Sequence, residues 1–213
     1  MMNEDFRIDG LVADLRPVRR LRPARGFALV TAATLGVVAV VAVAAGLRPD
    51  VAALAPDPLV VLRSAALVLL GVATLHAATA AARPSIGEHR HGWRWALAAI
   101  GLFPLTAAIL TLAGAPTPHE MLSAPMIASC LVISLSSAAA ILAVLLAWLR
   151  SGAVTDPHRA GWLSGLAAGG LGSFAYSLHC PSTSIEYFAV WYGLAIAISA
   201  GLGRLVAPPL LRW

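Results

Sequence analysis

With 213 residues, of which 59% are hydrophobic and only 12% charged, the chain is too apolar for an ordinary soluble globular domain. The mean hydropathy of +0.82 and the net charge of +5 instead indicate an integral membrane protein with basic residues beside its membrane segments. A nucleic-acid-binding protein is the weaker interpretation of the basic charge.

The chain begins with a polar, arginine-rich tail over residues 1–25. Its apolar residues follow the i, i+3, i+4, i+7 spacing of an amphipathic helix, which Pro17 should end: Ile8, Leu11, Val12 and Leu15. The tail is too short to fold alone, so it could fold onto a partner through this apolar stripe. The simpler alternative is a juxtamembrane segment that only fixes the topology.

Six apolar stretches follow the tail, each about 20 residues long and therefore able to cross a hydrocarbon core of about 30 Å. Their predicted limits are 26–46, 59–82, 94–114, 126–149, 161–179 and 189–207, and residues 208–213 form a short C-terminus. The sequence therefore predicts an all-α integral membrane protein, a bundle of six transmembrane helices.

Arginine supplies all 15 of the Lys and Arg residues, and 13 of them fall on one side of this predicted topology. Only Arg48 and Arg63 lie on the other side. The positive-inside rule then places both termini in the cytoplasm, which agrees with an even number of spans. Arg63, near the outer end of the second helix, can extend its guanidinium to the membrane interface.

The predicted helices contain almost no ionisable side chains, which argues against a transporter or proton pump with charges near the midplane. Small residues are abundant instead. Gly161, Gly165 and Gly169 follow one another at i+4 spacing on the fifth helix and allow another helix to approach closely. We expect this stripe to serve helix packing.

The chain has two cysteines, Cys130 and Cys180, at the outward ends of the fourth and fifth predicted helices. An antiparallel hairpin would bring them to the same depth, in a compartment that permits disulfides. They could be a redox-sensing pair, a stable disulfide, or two buried small hydrophobic residues. A soft-metal site with His179, and with His119 and Glu120 nearby, is a further alternative.

No catalytic or cofactor-binding pattern is visible in the sequence. There is no C-x-x-C motif, which disfavours a thiol oxidoreductase, and no carboxylate pair, Ser-His dyad or phosphate-binding loop. We therefore expect a protein that is not an enzyme and that holds no cofactor.

Two strings of the sequence together resemble the NrsF family of bacterial membrane proteins. The first is the tail string Asp14-Leu15-Arg16-Pro17-Val18-Arg19-Arg20-Leu21-Arg22-Pro23. The second is His179-Cys180-Pro181, followed ten residues later by Trp191-Tyr192-Gly193. The resemblance covers essentially the whole chain, including the number of spans and the final Arg212-Trp213.

This resemblance implies a six-span anti-sigma factor of the bacterial inner membrane that negatively regulates an extracytoplasmic-function sigma factor. The tail would hold the sigma factor away from RNA polymerase, and oxidative or heavy-metal stress at Cys130 and Cys180 would release it. The sigma-contacting residues would be Asp14, Leu15, Arg16, Pro17, Val18, Arg19 and Arg20. Family members often carry acidic residues after His-Cys-Pro, where this chain has Ser182, Thr183 and Ser184, so its stimulus can differ. A small channel or transporter with an anchoring tail is the alternative function.

Overall fold

The computed structural model describes residues 22–81, 101, 108–109, 112, 123–152 and 154–211. The described part of the chain is helical and contains no strand. Residues 1–21 and most of the third predicted span lie outside it, so the predicted count of six spans and the predicted placement of both termini stay predictions. The all-α class holds for what is described.

Five long helices and one short helix make up this part of the chain. They are α1 (Pro23–Ala44), the short α2 (Pro49–Ala52), α3 (Pro58–Ala81), α4 (Ala124–Leu149), α5 (Pro157–Ser177) and α6 (Ile185–Leu211). The five long helices correspond to five of the six predicted spans, but each begins before its predicted start.

Proline explains the early starts. Pro23, Pro49, Pro58 and Pro157 each occupy the first residue of a helix, where proline has the right φ and its missing N–H leaves no hydrogen bond unmade. At α5, the preceding Asp156 also caps the helix, since its side chain accepts a hydrogen bond from the Arg159 N–H at 3.0 Å.

Four helices of the described part of the chain are long and apolar enough to cross a membrane, namely α1, α3, α4 and α6. The exposed faces of these helices carry large apolar side chains, such as Val43 at 89% exposure on α1 and Leu69 at 69% on α3. Water would not tolerate so much exposed apolar surface, whereas lipid would. The chain is therefore a membrane protein.

The fifth long helix, α5, differs because it lies at the centre of the bundle. Nearly every residue from Ala160 to Ser177 is buried, and α5 packs against α3, α4 and α6. A helix that neighbouring helices surround has no need of bulky lipid-facing side chains, so glycine and serine can replace them. This accounts for the lower hydropathy of α5 than of the four outer helices.

The glycine stripe of α5 is the contact surface for α6. A Cβ added at Gly161 would collide with the Gly203 carbonyl oxygen, and one at Gly165 with the Ser199 carbonyl oxygen. A Cβ on Gly169 would lie 3.0 Å from Ile196 Cα. The two helices therefore touch backbone to backbone, as small residues permit in membranes.

The first helix, α1, is the least buried of the four apolar helices, with only 17% of its apolar window covered. It rests mainly on α4, where Gly26 lies under the Trp148 ring so closely that an added Cβ would be 2.7 Å from it. Val30 and Val41 are also buried. The rest of α1 is free to face lipid.

The N-terminal end of α6 contains a π-helical segment over Phe188–Tyr192, between a short α-helical turn and the regular helix that begins at Gly193. Such single π turns insert one extra residue into a helix. Tyr187 and Tyr192 are both 1% exposed, so both rings are buried although they are five residues apart.

Candidate functional site: the cysteine pair and the turn that carries Cys180

Cys130 and Cys180 lie in one buried cluster at one end of the bundle. Cys130 is on α4, near its start, and Cys180 follows the end of α5 by three residues. Both are 0% exposed, and both are free thiols. The structure thus brings together the two residues that the sequence singled out, although they are 50 positions apart.

Three tyrosines surround the thiols, and with the two cysteines they form what we call the thiol cluster: Cys130, Cys180, Tyr176, Tyr187 and Tyr192. The Tyr176 and Tyr192 rings pack at 5.7 Å between centroids. The Tyr187 hydroxyl lies beside Cys130 and donates to the Met126 carbonyl at 2.9 Å. The Tyr192 hydroxyl is buried without a hydrogen-bond partner among the described residues.

Cys180 belongs to a turn, residues 178–184, that we call the Cys180 turn. Its first part is held to α5, because the His179 and Cys180 N–H groups both donate to the Tyr176 carbonyl, at 2.9 and 3.0 Å. Its last residue, Ser184, caps α6 by accepting from the Tyr187 N–H at 3.0 Å. The turn therefore joins two helices that both contribute to the thiol cluster.

Arg63 of α3 extends into the Cys180 turn. The sequence predicted that its guanidinium would extend to the membrane interface, whereas in the structure it binds carbonyl groups of the protein. The residue is only 7% exposed. Its Nη1 donates to the Ser182 carbonyl at 2.5 Å, and its Nη2 donates to the Ser177 carbonyl at 2.7 Å and the Cys180 carbonyl at 3.1 Å. These oxygens lie at the C-terminal end of α5, where the helix dipole favours a cation.

Arg48, which follows α1, also donates hydrogen bonds to the Cys180 turn. Its Nη1 donates to the Cys180 and Pro181 carbonyls at 3.0 and 2.9 Å, while its Nε makes an ion pair with Asp50 at 2.8 Å. The hydrogen bond from Arg48 lowers the pKa of the Asp50 carboxyl to about 2. Asp50 therefore stays ionised at neutral pH and orients the guanidinium.

The sequence did not indicate that two arginines would share one set of carbonyl groups. A signal for Arg63 existed, because an arginine inside an apolar span marks a polar partner within the bundle. That partner could not be named, since it is a run of backbone carbonyls 114 to 119 residues away.

The remaining predicted site residues are placed as follows. Residues 14–20, predicted to contact the sigma factor, lie outside the described residues, as do His119 and Glu120. His179 turns toward α1, with Nδ1 3.0 Å from the Gly46 carbonyl oxygen. Among the described residues, no three His, Cys, Asp or Glu side chains come together as a metal site requires.

Comparison with known proteins gives the family. The NrsF family, described as negative regulator of sigma F, matches residues 11–213. The chain is 31% identical over 217 aligned residues to the anti-sigma-F factor NrsF of Caulobacter vibrioides, an alignment that covers the whole of both chains. It is also 33% identical over 85 residues, 40% of each chain, to a probable anti-sigma-F factor NrsF of Azospira oryzae. No solved structure matches the chain. The chain belongs to the NrsF family, the negative regulators of sigma F.

Proposed function

We propose that this protein holds an extracytoplasmic-function sigma factor at the bacterial inner membrane through its N-terminal tail and releases it when the cysteine pair is modified. The observation that carries the proposal is the thiol cluster, in which two free cysteines, one on α4 and one in the turn after α5, share one buried site. Its family supplies the output, because these proteins regulate a sigma factor negatively.

The chemistry at the pair would be ordinary thiol chemistry. A hydroperoxide oxidises one thiol to a sulfenic acid and leaves as the alcohol, and the second thiol then displaces water to form a disulfide. Alternatively, a thiophilic divalent metal ion binds both sulfurs and displaces two protons. Either product needs the two sulfur atoms to approach, and this alters the Cys180 turn.

The arrangement of the site agrees with a sensor that is silent until the turn opens. Thiols with 0% exposure react slowly, because the reagent needs access to sulfur. The Cys180 turn contains Pro181 and is held by hydrogen bonds from two arginine side chains, so it can be disturbed without unfolding a long helix. A stimulus that opens this turn would therefore expose Cys180.

The cysteine role is tested by replacing Cys130 and Cys180 with serine, singly and together, and measuring sigma-dependent transcription with and without a hydroperoxide. We expect induction by the oxidant to fall by about fivefold or more, the scale of a typical coupling between two sites. Ser129→Ala is the matched control, since Ser129 is exposed on α4 beside Cys130. Induction equal to that of the parent in the double variant would reject the sensing role.

The tail role is tested by removing residues 1–21 while keeping α1 and its preceding residue. Each extracytoplasmic-function sigma factor of the source bacterium is produced with an affinity tag, and recovery of the membrane protein with it is measured. We expect the truncated protein to be recovered at a level at least about tenfold lower, which corresponds to about 1.4 kcal/mol of lost binding. Equal recovery of both forms would assign the contact to another part of the chain.

A further inference from the structure

The short segment that follows the C-terminal end of α1 is hydrogen-bonded to the Cys180 turn. The Gly46 carbonyl oxygen lies 3.0 Å from His179 Nδ1, and the Arg48 N–H donates to the Leu178 carbonyl at 3.0 Å. The Arg48 side chain adds its bonds to the Cys180 and Pro181 carbonyls. Residues 130 to 133 positions apart are thus joined by both backbone and side-chain hydrogen bonds.

The inner end of α1 leads directly into the tail. The helix begins at Pro23 and runs 22 residues to Ala44, a length of about 33 Å at 1.5 Å per residue. It contains neither an internal proline nor a π turn that could absorb a movement. Between Ala44 and Pro23 a displacement therefore meets no hinge, and only the short turn at Ala45–Arg48, in which Gly46 has φ +84°, separates the helix from the bonds to the Cys180 turn.

The packing of α1 permits such a displacement. Its apolar window is only 17% buried, whereas α5 is buried along nearly its whole length. Apart from the bonds at Gly46 and Arg48, α1 is held chiefly by its contact with α4 around Gly26 and Val30. A helix with so little buried surface can shift at lower cost than the central helix.

We propose that Arg48 and His179 are the positioning residues that transmit a change at the thiol cluster to the tail, by tying the Cys180 turn to α1. The inference rests on the proposed function, since it assigns the path between its input and its output. A disulfide or bound metal at Cys180 displaces the carbonyls of the turn. Arg48 follows these carbonyls, Gly46 follows the His179 ring, and α1 carries the movement across the bilayer to the tail.

The test compares Arg48→Met and His179→Phe with the parent chain. Arg48→Met removes the guanidinium donors but keeps a side chain of similar length, and His179→Phe keeps the ring that packs on Tyr176 while removing the bond to Gly46. Arg204→Met is the matched control, because it removes an exposed guanidinium on α6 and leaves the bonds of Arg48 and His179 in place. Membrane levels of each variant are followed by immunoblot.

Two readouts are taken after exposure to a hydroperoxide: the thiol state, by maleimide labelling of the denatured protein, and the ratio of sigma-dependent transcription with and without oxidant. We expect both variants to be oxidised as the parent is, while their induction ratio falls by about fivefold or more. Arg204→Met should retain the parent ratio. Because the probe is an oxidant, losing His179 as a metal ligand does not affect the result.

Parent-like induction in both variants would overturn the inference and leave the proposed function standing. A parent chain whose thiols are oxidised without induction would overturn the proposed function itself. If Arg48→Met does not accumulate in the membrane, His179→Phe decides alone, since it alters a single hydrogen bond at the surface of the bundle.

Discussion

Replacing Arg63 with methionine should lower the free energy of unfolding by about 3 kcal/mol or more. Its guanidinium supplies donors to the carbonyls of Ser177, Cys180 and Ser182 in a buried site. Methionine fills much of the same space but leaves the Ser177 oxygen without a donor and the Cys180 and Ser182 oxygens with only their bonds from Arg48, at 3.0 and 3.5 Å. Each unsatisfied buried acceptor costs about 1–3 kcal/mol. Thermal unfolding of the purified protein in detergent micelles measures the effect.

A hydrophobic replacement of a buried ion pair can be neutral when both partners are replaced together. That outcome is not open to Arg63, because its partners are backbone carbonyls that no side-chain substitution removes. Arg63→Lys is the matched control. It keeps the charge but not the planar fork of donors, so its stability should lie between those of the parent and Arg63→Met. Equal melting temperatures for all three proteins would mean that these bonds contribute nothing net to stability.

Substituting Gly165 with alanine should destabilise the bundle by about 3 kcal/mol, the upper range for overpacking a tight core. The new methyl group would collide with the Ser199 carbonyl oxygen and lie 2.7 Å from Ala200 Cα. Both atoms belong to the backbone of α6, so neither can rotate away. The helices must separate, and the backbone contact along the stripe is lost.

Gly201→Ala is the matched control for this prediction, because nothing lies within 4 Å of an added Cβ at Gly201 on α6. Alanine is favoured over glycine in a helix by about 1 kcal/mol, so the control should be as stable as the parent or slightly more stable. Membrane accumulation and melting temperature are measured for both variants. If Gly165→Ala were as stable as Gly201→Ala, close contact between α5 and α6 would not be a requirement of the fold.

Much of the fold could be predicted because its signals are local. Apolar length located α1, α3 and α4 to within three residues, since it acts within one segment of chain. The glycine stripe also indicated a helix that packs closely. Its central position could not be predicted, because burial of α5 depends on how the other helices surround it.

The candidate site was predictable only in part, for a related reason. Each cysteine could be placed at a helix end from the topology, so their shared depth followed from counting residues. The tyrosines and arginines around them could not be assigned. Arg63 binds carbonyl oxygens that every residue possesses, and which ones it meets depends on the path of the Cys180 turn.

The π turn at Phe188–Tyr192 changes the direction in which the side chains of α6 point, so residues before and after it face different neighbours. In an uninterrupted α-helix, residues five apart point about 140° away from each other, so Tyr187 and Tyr192 could not both face the thiols. A turn closed between residues five apart aligns them. After the π turn, the regular α-helix resumes, and its residues Ser199 and Gly203 face the glycines of α5. The one extra residue thus allows a single helix to place tyrosine side chains against the cysteines and small residues against α5.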